Sequence, residues 1–158
     1  MEEDRAKFKV VVRNRKARHD YHVTDTYEAG IELRGSEVKS IRNGKVQMAD
    51  SYALVEDGQV ILKNLHISPY EQTGQHAGHD PVRPRRLLLH KREIRKLKAK
   101  TEQQGMTLIP LSIYFRGKVA KVELGLAVGR KKYDKREAKA KAEAERRMQQ
   151  ATKRDLKQ

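Results

Sequence analysis

The stretch "VVRNRKARHDYHV" (residues 11–23) sets four cations, Arg13, Arg15, Lys16 and Arg18, around Asn14, His19 and Tyr21. Guanidinium and ammonium groups neutralise phosphates, while an amide, an imidazole or a phenol among them can meet a base edge, a sugar or a base face. Tyr21 and Val23 fit equally well as the inward side of a strand. "RPRR" adds Arg83, Arg85 and Arg86, and "RKKYDKR" (residues 130–136) places Tyr133 inside a basic run. One basic stretch is usually a solvated face; three in one chain favour a nucleic-acid surface. His76 and His79 stand as H-x-x-H with Asp80 the only nearby third donor. A metal site asks for more, so these read as polar loop residues and no metal or cofactor is expected. Phosphate-loop, nucleophile-elbow and zinc-protease motifs are all missing. Ser36, Ser40, Ser51, Ser68 and Ser112 have no base paired with them in sequence. The chain does not read as an enzyme.

Composition agrees. The 158 residues hold 36 Lys+Arg against 21 Asp+Glu, a formal charge of +15 and a pI near 10.1. Such an excess repels itself on compaction and usually answers a polyanion. Nucleic acid comes first, an anionic membrane surface second, a merely soluble domain third. With two Phe, six Tyr and no Trp, stacking on bases falls to tyrosine. The lack of cysteine excludes disulfides and thiolate metal sites. "MEEDRAKFKV" has no apolar run and is no signal peptide, and nothing approaches the ~20 apolar residues of a membrane span. A soluble, cytoplasmic protein is expected.

The elements that must position these residues are mostly strands. "FKVVV" is a short first or edge strand, and "YHVTDTYEAGIEL" a longer one with a bulge or bend at Gly30. "SYALVEDGQVILKNLHI" is a hairpin turning on Asp57-Gly58, a type I′ dipeptide. A second hairpin turns near Arg116-Gly117, and its return limb alternates Val119, Lys121 and Glu123 against Ala120, Val122 and Leu124. Two helices interrupt them. One starts at a Ser36 cap, buries Val38 and Ile41 and stops at Asn43-Gly44; the other buries Ile94 and Leu97 and stops at Gly105. The loop "EQTGQHAGHDPVRPRR" is polar, with Gly and Pro, and reads as mobile. The pattern suits a mainly β fold closed into a small barrel, and an OB-like closed antiparallel Greek-key barrel of about six strands with flanking helices is one way to build it. An SH3-like barrel or a small α+β sheet fits the same pattern.

Residues 130–158 hold 12 Lys+Arg against 5 Asp+Glu, a net +7 and nearly half the excess. Helix formers run from Arg136 onward, with Asp134 placed to cap them and Glu137–Lys141 and Glu143–Arg147 as supporting i,i+4 pairs. Between Tyr133 and Met148 the only apolar residues are alanines, so the helix has nothing to pack and should be helical or disordered in isolation. A solubilising tail is one reading. The other is a segment that orders on nucleic acid, and Tyr133 favours it.

"NRKARHDYHVTDTYEAGIELRGSEVKSIRNGK" (residues 14–45), "RRLLLHKRE" (85–93) and "GRKKYDKR" (129–136), in that order and spacing, resemble the SmpB family, the small proteins B of bacteria. The resemblance implies binding of the tRNA-like domain of transfer-messenger RNA and its delivery to stalled ribosomes in trans-translation. It implies an OB-like barrel over residues 1–128 and a tail over 129–158, unstructured in the free protein, that folds in the 16S rRNA decoding centre and the empty mRNA channel. An indirect link to an elongation factor Tu complex, a monomeric state and the absence of an active site are implied with it. By resemblance the RNA-binding residues are Asn14, Lys16, Arg18, His19, Tyr21, Glu28, Leu88 and Lys121. The ribosome-binding set is Gly129, Arg130, Lys131, Lys132, Tyr133, Asp134, Lys135 and Arg136, with Gly129 as a hinge. A salt bridge to a nearby Arg fits Glu28 as well as an RNA contact does. Val128 stands where many relatives are basic, and Arg130 replaces the usual Lys. A general RNA-binding barrel and a phosphate-handling enzyme are the competing classes.

Overall fold

The computed structural model describes residues 8–69 and 79–156. His76 and residues 71–78 of the polar loop lie outside them. Among the described residues nine strands run in chain order: β1 Phe8–Arg13, β2 Tyr21–Ile31, β3 Val46–Gln47, β4 Tyr52–Glu56, β5 Gln59–Lys63, β6 His66–Ile67, β7 Arg85–Leu88, β8 Thr107–Arg116 and β9 Val119–Gly129. Four helices join them there: α1 Arg15–Asp20, α2 Gly35–Arg42, α3 Lys91–Gln104 and α4 Arg130–Leu156.

Six strands close on themselves in the order β8-β4-β5-β7-β2-β9, and β9 pairs back onto β8. Every pairing is antiparallel. β1 lies along the second half of β8, from Phe8↔Arg116 to Arg13↔Ser112. The barrel therefore has the strand number that the sequence suggests. Its interior is the inward set of alternating residues, Ala29 from β2, Leu62 from β5, Leu87 from β7, Ile113 from β8 and Val122 and Leu124 from β9, with Leu97 of α3 and Ile41 of α2 closing it. A smaller cluster, Ala17, Ile109 and Leu111, packs α1 onto β8, with Tyr21 and Val23 against it.

Turn chemistry explains the hairpins. Asp57 (φ 51°) and Gly58 (φ 73°) both take the left-handed conformation that a type I′ turn demands. β8 and β9 come together at Arg116↔Val119. Pro110 sits where the β8–β9 register shifts, a place that tolerates a missing N–H.

Four expectations change. Gly30 is not at a bulge: it pairs with Leu88 on one side and Lys121 on the other, and the shifts in β2 fall between Val23 and Asp25. Helix α2 is capped at Arg34, whose N–H donates to Glu37 Oε1 at 2.8 Å, and Ser36 lies inside it. Residues 15–20 form a helix that hydropathy did not show. The tail helix starts at Arg130, directly from β9, so Asp134 is inside it and caps nothing. Among the described residues no helix is long and apolar enough to cross a membrane.

Candidate nucleic-acid interface

The three basic clusters meet different fates. Arg85 points into the barrel, fully buried, and Arg83 beside it is mostly covered; both converge on Glu37 of α2, also fully buried. Arg83 Nε donates to both Glu37 oxygens at 3.1 Å, and Arg85 Nε donates to Oε2 at 2.5 Å. Arg85 spends its other donors on the carbonyls of Leu65 (2.7 Å) and Pro81 (3.1 Å). Burial alone would push the Glu37 carboxyl up. Hydrogen bonds from Arg83, the Arg34 N–H and Arg85 outweigh it and hold the group below its ordinary value. For Arg85 burial outweighs the carboxylate and lowers its pKa, yet an arginine stays charged. Arg83 and Arg85 are therefore structural cations, a correction to their reading as phosphate contacts. Arg86 stays at the surface, paired with Glu32 at 2.5 Å. His79 is likewise structural: its ring nitrogens lie 3.0 Å from Ser36 Oγ and 2.8 Å from the Ile67 carbonyl oxygen.

On the outer face of the barrel the register assembles residues that are far apart in sequence. One row runs Leu88, Gly30, Lys121, Tyr114 from β7 through β2 and β9 to β8; the next runs Glu28, Glu123, Ser112. Leu88, Lys121 and Glu28 thus share one exposed surface. Leu88 is 46% exposed, and a Cβ on Gly30 would come within 3.2 Å of its own Cβ, so glycine lets it lie flat across β2. Glu28 accepts from the Tyr114 hydroxyl and pairs with Arg116 Nη2 at 3.2 Å. Burial, and then the carboxylate, push the Tyr114 phenol well above its usual value, so it stays a donor at working pH. The salt bridge open to Glu28 from sequence is present, and it fixes the carboxylate while leaving it at the surface. Among the described residues Lys121 makes no ion pair. Arg18 Nη2 reaches the same face through Glu123 at 2.9 Å, and the Ser112 hydroxyl donates to that carboxylate at 3.3 Å.

A second surface lies at the far end of the β2–β9 ladder, where Tyr21 pairs with Gly129. His19, Asp20 and Tyr21 face Gly129, Arg130 and Lys131 across an open cleft of about 530 Å³. His19 is exposed beside Asp20, with Nδ1 3.0 Å from its carboxylate. Lys16 is exposed and pairs loosely with Asp50 at 3.6 Å. Asn14 is different. It is 4% exposed; its Oδ1 accepts the Ala17 N–H at 3.1 Å and its Nδ2 donates to the Pro110 carbonyl at 3.0 Å. It caps α1 and ties it to β8, so it positions Lys16, Arg18 and His19. Lys131, Asp134, Lys135 and Arg136 are exposed on the helix, with no ion pair among the described residues.

Sequence reasoning missed Tyr114 and Arg116 as the partners of Glu28, and His22 as the ring under Tyr133 (centroids 3.9 Å apart, planes 16° apart). Alternation in β8 puts Ser112, Tyr114 and Arg116 on one face, which is the signal that was available for the first two.

The comparisons with known proteins point one way. The family model described as SmpB protein matches residues 11–154. The chain is 59% identical over 145 residues to the SsrA-binding protein of Halothermothrix orenii, covering 92% of this chain and 93% of that one. It is 57% identical over 143 residues to the SsrA-binding protein of Carboxydothermus hydrogenoformans, covering 90% and 95%. A solved structure reported as "tmRNA-SmpB: a journey to the center of the bacterial ribosome" is similar at a TM-score of 0.63 and 58% identity, over 75% of this chain and 82% of that one. Matched along nearly its whole length by both the family model and its relatives, the chain belongs to the SmpB family.

Proposed function

We propose that the barrel binds the tRNA-like domain of transfer-messenger RNA and that the tail carries the complex into stalled ribosomes for trans-translation. The observation that carries this is the meeting of Glu28, Leu88 and Lys121 on one exposed face, with the basic tail leaving from the opposite end of the same strand pair. Over the seven residues from Tyr21 to Glu28 the strand rises about 23 Å, which sets the Glu28 face apart from the root of the tail. Lys121 supplies a phosphate contact, Leu88 an apolar seat, and Glu28, held by Tyr114 and Arg116, an acceptor for a base edge or a ribose hydroxyl. Lys16, Arg18, His19 and Tyr21 extend the basic surface. Residues 129–136 meet 16S rRNA in the decoding centre, and the rest of the tail lies in the vacant mRNA channel. The protein acts by binding, as a monomer, and its RNA reaches the ribosome with elongation factor Tu.

The test is titration of the purified chain with the tRNA-like domain against duplex RNA of equal length, across salt concentrations. Selective binding of the tRNA-like domain is expected. Lys121→Ala should reduce the salt slope by about one, and Glu28→Ala should weaken binding with little change in that slope. Equal affinity for both RNAs would reduce the barrel to a general RNA binder and remove these assignments.

A further inference from the structure

The outer face that carries Leu88, Lys121 and Glu28 does not end at Tyr114. β1 pairs with β8 and widens it by one strand: Val10 stands beside Tyr114, and Phe8 beside Arg116, which in turn faces Val119 of β9. One row of the face therefore reads Phe8, Arg116, Val119. Among the described residues six large apolar side chains are prominently exposed, and three of them, Phe8 at 45%, Leu88 at 46% and Val119 at 55%, lie on this one face. Tyr114 is 5% exposed, and the Phe8 ring lies over it with centroids 4.6 Å apart and planes 35° apart. Phe8 thus turns one side to Tyr114 and leaves nearly half of its surface to solvent. Beside it the Arg116 side chain is exposed, with Nη2 3.2 Å from Glu28, and Lys118 in the hairpin turn is exposed as well.

We propose that Phe8 is a platform on which one unpaired RNA base stacks, beside Arg116, and that this subsite extends the RNA face beyond Glu28, Leu88 and Lys121. The inference deepens the proposed function and rests on its reading of this face. The chemistry selects the ligand. Every base has a π-face that an aromatic ring can cover, and only an unstacked base of a loop or single strand presents it. A duplex keeps its bases stacked inward and offers mainly phosphates and sugars. Arg116 holds further guanidinium donors besides the one given to Glu28, for a phosphate or a base edge. Composition left stacking to tyrosine, yet on this face the tyrosine is covered and the phenylalanine is the open ring. Phe8 lies two strands and two residues from Lys121, roughly 12 Å at about 4.8 Å per strand and 3.4 Å per residue, so one RNA chain reaches both. A lid over the Tyr114–Glu28 hydrogen bond would need only an apolar side chain; a stacking platform needs a ring.

The chain has no tryptophan, so Phe8→Trp carries a single fluorescent reporter in the platform. The tRNA-like domain and a single-stranded RNA of mixed sequence should both quench it, and duplex RNA should not. Leu54→Trp, on β4 outside the row, should stay unquenched throughout. Phe8→Leu should weaken binding of the tRNA-like domain about five- to 150-fold, the worth of one base on an aromatic ring. Its salt slope should match the parent's, because the stack carries no charge. Phe8→Tyr, which keeps a ring, should bind as the parent does. Should Phe8→Leu melt lower than the parent, Phe8→Met takes its place. Parental affinity in Phe8→Leu, or binding of the tRNA-like domain with the Phe8→Trp signal unchanged, overturns the inference and leaves the proposed function standing. Quenching by single-stranded RNA in a chain that binds the tRNA-like domain no more tightly than duplex would do the reverse, sinking the selective reading and keeping the platform.

Discussion

Glu37→Gln tests the strongest electrostatic feature of the fold. Glu37 and Arg85 are both at zero exposure, and Arg83 shields them at 22%. Removing one partner of a buried pair usually costs about 3–5 kcal/mol, because the other charge is left uncompensated. Gln keeps one acceptor oxygen, so the low end, about 3 kcal/mol, is expected. At roughly 2–4 °C per kcal/mol for a chain of this size, the melting temperature should drop by about 6–12 °C. Urea unfolding followed by circular dichroism at pH 7 measures this. Because the site is dry, raising the salt should scarcely change it. The pH dependence follows from sign. Glu37 is held below its ordinary value of 4.5 in the folded state, so its stabilisation is complete above that value and is lost as pH falls through the lower folded one. The gap between parent and variant should therefore close only below about pH 4.5. Folded Glu37→Gln should bind RNA as the parent does, since Arg83 and Arg85 are covered and paired with Glu37, away from the proposed interface. A loss under about 1 kcal/mol, the worth of an exposed pair, would refute the account of this cluster. So would a gain in RNA affinity, the sign of two freed cations.

Two further outcomes follow from packing and helix chemistry. Gly125→Ala places a Cβ 2.8 Å from Leu111 Cδ1, and overpacking of this kind should cost about 1–3 kcal/mol in the same urea experiment; an unchanged midpoint would mean that Leu111 moves aside freely. Ala140→Pro, within α4, should cost the helix about 3 kcal/mol and reduce helical circular dichroism. It should abolish tagging and leave binding to the tRNA-like domain intact; loss of that binding would break the division between barrel and tail.

What the sequence made legible was local. Asp57-Gly58 announces its turn, and Asn43-Gly44 and Gly105 stop their helices where expected because only a left-handed residue ends them so. The alternation of β9 fixes which residues face inward. What stayed hidden depends on partners far along the chain. Arg83 and Arg85 look like any surface arginine until Glu37, more than 45 residues away in sequence, is folded against them. Asn14 reads as a polar residue in a basic run, yet its amide is consumed by a helix cap and a carbonyl across the barrel. The start of α4 carries no cap because strand β9 runs straight into it, so the usual signal was never written there. Of the residues proposed to face RNA, Glu28, Leu88 and Lys121 are named by resemblance, and only the β7-β2-β9 register brings them together.

The closed ring of strands has a consequence for how this protein behaves among polyanions. A chain of charge +15 mixed with RNA is prone to condense. Condensed chains with open sheet edges can knit into cross-β fibres, which salt does not dissolve. Among the described residues the six-stranded ring itself has no open edge, the β3–β6 pair is only two residues long, and β1, the edge strand that flanks the ring, is bulged between Val10 and Val12 and carries Lys9 and Arg13. Droplets or precipitates formed with RNA should therefore be held by charge alone, and raising the salt should return the protein to solution still folded.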